Sequence, residues 1–370
     1  MIIGVPKEIK KHEYRVGLTP YHAKSYVACG HTVFIQTKAG EGSGYADADY
    51  EAAGCRILPD AEAVYDAAQM IIKVKEPLEP EYALMREGQI LYTYFHLAAD
   101  RTLTEVCLKK KIIAVAYETI VGKDGRLPCL KPMSEIAGRL AIQEGAKYLE
   151  KPFGGRGVLL GGVPGVLPAN VLILGAGVVG QNACAMAAGL HADVTIADIS
   201  IAALTNIDNE YKGRVKTLFN TEGAVIEAIS KADLVIGAAL VPGAATPHII
   251  KKEYLKYMKK GSVIVDVAID QGGCCETSHV TYHDNPVYTY EDIVHYCVGN
   301  MPGAVPFSST LALNNATLSY GLSIANKGYR TALKEDAGLA LGLNCHLGKL
   351  TCRPVAELYN IEYTPASLIL

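Results

Sequence analysis

The chain has 370 residues, half of them apolar, and a formal net charge of −3. That length allows two or three domains with real cores, and the slight negative charge gives no footing for nucleic acid or an acidic membrane surface. No apolar run reaches membrane-spanning length and no basic, cleavable leader is recognisable, so a cytoplasmic protein is expected.

In chain order, short apolar runs at 2–5, 32–36, 55–58, 70–74, 89–94 and 112–117 read as strands. Helical or mixed stretches at 20–29, 60–67, 79–85 and 101–110 separate them. That alternation predicts an α/β unit with a largely parallel sheet. A long amphipathic stretch at 134–149 predicts a connecting helix, with Pro132 and Ser134 at its start. Glycines and prolines then crowd residues 152–168, a turn-rich passage.

The segment 171–198 reads VLILGAGVVGQNACAMAAGLHADVTIAD. An apolar strand runs into Gly175-x-Gly177-x-x-Gly180, which opens an alanine-rich helix, and a second apolar run ends at Asp198. Each part has a task in holding a dinucleotide. Gly175 permits the tight turn, Gly177 lets backbone N–H groups approach a pyrophosphate, and Gly180 lets the helix lie close to the sheet. Asp198 sits where a carboxylate reaches both ribose hydroxyls. An acid there disfavours a 2′-phosphate, and Ile199, Ser200 and Ile201 supply no arginine for one, so NAD is expected over NADP. A glycine turn between strand and helix is the ordinary alternative, but here strand, fingerprint, helix, strand and acid follow in order.

Further strands are predicted at 233–237 and 262–268, and from Ser308 the chain reads helical, at 310–319 and 321–333. The expected organisation is a substrate domain from residues 1–130 and 308–370, with a nucleotide domain, 131–307, inserted. The fold class is thus α/β, with two Rossmann-like domains of mainly parallel sheet flanking a cleft. Ten cysteines are scattered without zinc-ligand spacing, the close pairs being Cys274-Cys275 and Cys345 with Cys352. Buried reduced thiols are expected. Ten histidines show no HExxH pattern, so no catalytic metal is expected.

Ligands of open α/β sheets bind beyond the carboxyl ends of the strands. The first strand leads to Arg15, the run 70–74 to Lys75, the run 89–94 to His96, and the run 262–268 to Asp270. Singly, each has an ordinary reading: Arg15 and Lys75 as solvated cations, His96 as a core histidine, Asp270 as a turn former before Gly272-Gly273. Together they suit redox of a small carboxylate. Two cations hold a carboxylate and polarise a carbonyl or imine, imidazole exchanges the accompanying proton, and an acid steadies an iminium or orders a water.

Five stretches carry a family resemblance: MIIGVPKEIKKHEYRVGLTP, the fingerprint block 170–198, VIVDVAIDQGG, HYCVGNMPGAVP and LALNNATLSYGL. They resemble the alanine dehydrogenase family, which includes the alpha subunit of proton-translocating transhydrogenase, nearly end to end. The resemblance implies NAD-dependent deamination of L-alanine to pyruvate and ammonia, the reverse amination, and a homohexamer. It places substrate binding on Arg15 and Lys75 and catalysis on His96 and Asp270. Cofactor contacts fall on Ser134, Val178, Val179, Asp198, Ala239, Leu240, Val267, Ala268, Ile269, Asp270, Val298, Asn300 and Met301. The chain departs from the family pattern at His191, Ala203 and Phe307, where the family usually has Gly, often Arg or Lys, and often Arg. A reductive aminase of another small 2-oxo acid such as glyoxylate, or a transhydrogenase nucleotide-binding subunit, stays open as an alternative.

Overall fold

The computed structural model describes residues 1–239 and 246–370. Two units separate, one from Met1–Met133 with Gly303–Leu370, the other from Ser134–Pro302. Each is built on its own sheet.

In the first unit the six strands read from the apolar runs form as β1 (Ile2–Val5), β2 (Thr32–Gln36), β3 (Arg56–Leu58), β4 (Met70–Ile72), β5 (Ile90–Thr93) and β6 (Ile113–Ala116). All pair in parallel, in the order β3-β2-β1-β4-β5-β6. The central strands β1, β4, β5 and β6 are buried on both faces, as a sheet covered by helices requires, while β2 and β3 toward the edge are partly exposed. On β5, Ile90 and Tyr92 enter one core and Leu91 the other.

The second unit contributes β7 (Asn170–Leu174), β8 (Asp193–Asp198), β9 (Val215–Phe219), β10 (Leu234–Gly237), β11 (Val263–Asp266), β12 (Val287–Tyr290) and β13 (Ile293–Tyr296). Their order is β9-β8-β7-β10-β11-β13-β12, parallel except for the edge strand β12. Setting that strand aside, both sheets follow the doubly wound order 3-2-1-4-5-6. The strand order therefore reverses between β1 and β4 in one unit and between β7 and β10 in the other. These are the two places where such a sheet opens a crevice at its strand ends.

Two hairpins went unread in the sequence. Glu291 and Asp292, both at positive φ, turn β12 into β13. Leu347 and Gly348 do the same between β14 (Leu343–His346) and β15 (Lys349–Leu350). That second hairpin adds antiparallel to β6 and corrects the all-helical reading of the C-terminal stretch. Neither turn has the Asn-Gly or Asp-Gly pair that marks such hairpins. The helices expected at 310–319 and 321–333 are instead one long helix, Pro306–Lys327, and a short one, Tyr329–Glu335.

The long helix bears on the first unit's strand-end loops. Asn314 accepts from the Thr19 amide at 2.7 Å and donates to the Gly17 carbonyl at 2.9 Å. The turn that follows Arg15 is thereby pinned by a residue some 300 positions later.

Candidate functional site: a dinucleotide cradle and a carboxylate-binding strand edge

In the second unit the three fingerprint glycines each answer a separate demand. Gly175 leaves β7 at φ +110°, and a Cβ there would sit 2.7 Å from the Ala239 nitrogen. Gly180 lies on the helix Val178–Gly189, and a Cβ there would run into the Gly175 carbonyl oxygen. Gly177, the residue just before that helix, faces open space with nothing within 4 Å. Two glycines are therefore demanded by the protein's own backbone, while the third keeps a vacant approach to a helix N-terminus. That is the shape a pyrophosphate requires, held by N–H groups and the positive end of the helix.

Asp198 ends β8. Its Oδ2 accepts from the Ala176 amide at 2.6 Å and its Oδ1 from the Ser200 amide at 2.7 Å. The carboxylate is half-exposed, so its remaining lone pairs are open to ribose hydroxyls. It also ties the glycine turn to its own strand. Ala203 stands half-exposed at the start of the next helix, its amide capped by Ser200.

Val178 and Val179 open the fingerprint helix, and Val179 is nearly covered. Ser134 lies in the first turn of the helix Lys131–Tyr148, half-exposed. Ala239 follows β10; Leu240 lies outside the described residues. Ala268, Ile269, Val298 and Met301 have buried side chains, which leaves their backbone as what they offer a cofactor. Val267 and Asn300 are half-exposed.

Asp270 is exposed on the tight turn Val267–Gln271 after β11. The Asn300 amide donates to its Oδ2 at 3.3 Å. Beneath it Asp266, fully buried, accepts from the Cys274 and Cys275 amides at 3.0 Å each. Burial raises the Asp266 pKa, and these amides counter it. Asp266 thus shapes the loop that presents Asp270.

In the first unit the strand ends carry charge. Arg15 is buried, and its Nε and Nη2 donate to the two Glu13 oxygens at 2.7 and 2.6 Å. Burial would raise the Glu13 pKa, but the guanidinium outweighs it and holds the carboxyl at about 2. One edge of the Arg15 fork is thus taken by protein. Its Nη1 donates to the Met133 sulfur at 3.0 Å.

Lys75 follows β4. Its amide donates to Glu8 at 3.3 Å, and no hydrogen bond to its Nζ is found among the described residues. Burial, then Arg15 and Lys10, lower its pKa, with Glu76 opposing. Glu76 itself pairs with Lys10. Below them Lys73, fully buried, bridges Glu81 at 2.7 Å and Glu8 at 3.3 Å. Glu8 also accepts from the Val74 amide at 2.6 Å, so this ion cluster fixes the strand end from which Lys75 projects.

His96 follows β5 at φ 51°, ψ 39°, the left-handed region. Its ring stacks on Tyr94, centroids 5.8 Å apart at 16°, with part of it open to solvent. Surrounding protein, then Lys75, with lesser pushes from Lys10 and Arg15, brings its pKa down to about 4, against a pull from Glu76. The imidazole is therefore neutral near pH 7 and ready to accept a proton.

Arg15, Lys75 and His96 accordingly share one sheet edge, and the glycine turn, Asp198 and Asp270 share the other unit's. Glu8, Glu13, Lys73, Glu81 and Glu118, which hold them, went unread. Glu13 alone left a trace, an acid two positions from an arginine. No group of three or more metal-ligating side chains occurs among the described residues, nor is any described helix long and apolar enough to cross a membrane.

Sheet order, glycine cradle and terminal acid define an α/β protein built for a nucleotide cofactor. Models of the alanine dehydrogenase/PNT N-terminal and C-terminal domains match residues 4–137 and 141–353. The chain belongs to the alanine dehydrogenase/PNT family. An alanine dehydrogenase of Halomonas elongata is 54% identical over 370 residues, all of both chains. One from Methanococcus maripaludis is 52% identical, covering 99% of this chain and 98% of its own. A solved L-alanine dehydrogenase superposes with a TM-score of 0.95 at 50% identity, covering 97% of this chain and 99% of that one. A transhydrogenase from Sinorhizobium meliloti shares the fold, with a TM-score of 0.83 at 24% identity over 95% of this chain and all of that one.

Proposed function

We propose that the chain is an NAD-dependent alanine dehydrogenase, converting L-alanine, NAD⁺ and water to pyruvate, ammonium, NADH and a proton, and running the reverse. The observation that carries this is Lys75. Arg15 is matched by Glu13 and Lys10 by Glu76, while the Lys75 ammonium has no such partner among the described residues and is held beside the Arg15 guanidinium. An ammonium without an ion-pair partner, set beside a second cation, calls for an anion, and a substrate carboxylate supplies it.

A bound NAD would supply the acceptor for the hydride on the alanine Cα. Gly175, Gly177 and Gly180 are proposed to cradle its pyrophosphate and Asp198 its ribose. Ser134, Val178, Val179, Ala239, Leu240, the run Val267 to Asp270, Val298, Asn300 and Met301 are proposed to line the rest. Arg15 and Lys75 hold the carboxylate, and Lys75 polarises the oxygen or nitrogen on the reacting carbon. Asp270 steadies the iminium that hydride loss leaves. His96, neutral, takes a proton from the water that adds to this iminium and returns it in the amination direction.

An NADPH-linked reaction would need a cation for the 2′-phosphate. Asp198 and the next residues, Ile199, Ser200 and Ile201, offer none, which supports NAD. The family resemblance supports a homohexamer in the cytoplasm. The test is NADH formation across a panel of L-amino acids and with NADP in place of NAD. Alanine with NAD should dominate; glycine turnover equal to alanine's would favour a glyoxylate aminase. No turnover by the purified chain alone would favour a transhydrogenase subunit. Size-exclusion chromatography with light scattering checks the hexamer.

A further inference from the structure

We propose that Glu118 is the positioning residue for His96, clamping the backbone of the proton-exchanging histidine in its left-handed conformation. This rests on the reading of His96 as the proton exchanger. Strands β5 and β6 pair in parallel with Thr93 opposite Ala116. Two residues beyond that pair the chain reaches Phe95 on one side and Glu118 on the other. The register thus delivers a carboxylate to the turn that carries His96.

There Glu118 Oε1 accepts from the His96 amide at 2.6 Å and from the Phe95 amide at 3.0 Å, and Oε2 accepts from the Phe95 amide at 3.2 Å. Two successive N–H groups converging on one anion form a nest, which a left-handed residue makes possible. For a side chain with a Cβ that conformation is strained. It needs an external hold, and Glu118 supplies one. Burial raises the Glu118 pKa while the nest amides oppose that rise. Tyr94 provides the second handle: its ring stacks on the imidazole and its hydroxyl donates to the Cys129 carbonyl at 2.6 Å. Backbone and ring are thereby fixed separately, and the Nδ1–Nε2 axis keeps its direction among Lys75, Glu76, Lys10 and Arg15.

The experiment compares Glu118→Gln and Glu118→Ala with wild type and with His96→Ala. With the clamp removed, Glu118→Ala should lose up to about 10²-fold in kcat, the cost of misplacing a catalytic group. Pyruvate KM and NADH Kd should stay near wild type. Glu118→Gln, retaining one acceptor, should fall between, and added formate should restore part of the Glu118→Ala loss. Wild-type kcat in both variants overturns the proposal. So does a loss that formate leaves untouched and that tracks lowered Tm and raised pyruvate KM, the mark of a structural role. Should Glu118→Ala fail to fold, hydrogen exchange on the wild-type enzyme decides: slow Phe95 and His96 amides support the clamp, and fast ones overturn it. Wild-type turnover in His96→Ala overturns the reading of His96 and the inference with it. A collapse there, with Glu118 variants unaffected, overturns the inference alone.

Discussion

The two sheets share one strand order and part at their carboxyl ends. Beyond β7 the binding edge is made of absence: glycines, bare amides and a helix terminus. Beyond β1, β4 and β5 it is made of paired and unpaired charge set in buried ion clusters. The difference matches the ligand proposed for each edge. A pyrophosphate carries fixed charge and does no chemistry, so backbone dipoles suffice and nothing need titrate. A substrate that gains and loses a proton needs side chains whose pKa values neighbours can move.

The largest expected effect is at the charged edge. His96→Ala should cost about 10²–10⁴-fold in kcat and leave NADH affinity untouched. Stopped-flow turnover with NADH fluorescence titration checks both halves, and a parallel loss of NADH binding would erase the division between the edges.

Next is the split between fingerprint glycines. A methyl at Gly180 meets backbone, so Gly180→Ala should destabilise the fold by about 1–3 kcal/mol, the usual range for overpacking. Gly177→Ala adds a methyl to open space, so its denaturation midpoint should hold while NADH binding weakens. Urea melts beside NADH titrations separate these, and matching effects on stability would mean that Gly177 is structural too.

The two cations should also come apart. Arg15→Lys loses the planar fork and should chiefly raise pyruvate KM, whereas Lys75→Ala should lower kcat as well. Steady-state amination kinetics read this directly, and near-normal values in both would move the carboxylate site elsewhere.

A pH effect follows from His96. Its pKa in the free enzyme is about 4, depressed in part by Lys75 and Arg15. A bound carboxylate offsets those cations, so the pKa rises on binding and protons are taken up. Pyruvate affinity should therefore increase as pH falls from neutrality toward about 4. Calorimetry below neutrality in buffers of different ionisation enthalpy should show more uptake in wild type than in His96→Ala.

The smallest effect belongs to a family departure. His191 sits at φ 63° just past the helix Val178–Gly189, where glycine is the usual helix stop. His191→Gly should stabilise by about 1 kcal/mol, the relief of left-handed backbone strain. An unchanged melting curve would mean that the glycine gains entropy in the unfolded chain equal to the strain it relieves. Phe307, another departure, stacks on Tyr45 at 5.8 Å and is more than half exposed.

How much of this was legible in the sequence depended on the kind of signal. The parallel strands showed because burial on both faces leaves unbroken apolar runs such as Met70–Ile72 and Leu234–Gly237. The cradle showed because its glycines stand at fixed local spacing. Arg15, Lys75, His96 and Asp270 could be singled out because strand ends are local features and the family motifs cover them. Glu118 could not, since its role depends on the β5–β6 register, and register is a long-range fact. Glu8 and Glu81 stayed hidden for the same reason: buried acids look like surface acids until their lysine is placed. The two hairpins were missed because Glu291-Asp292 and Leu347-Gly348 adopt positive φ without the usual residue pair.

The hydrogen bonds from Asn314 to the Gly17–Thr19 turn have a consequence for the order of synthesis. The nucleotide unit is one continuous run that leaves the ribosome whole. The substrate unit must wait, because the helix that pins the turn beside Arg15 emerges only after the whole nucleotide unit. A growing chain can thus possess a finished glycine cradle while its carboxylate grip is still loose, and the enzyme acquires its cofactor platform before it acquires the means to use it.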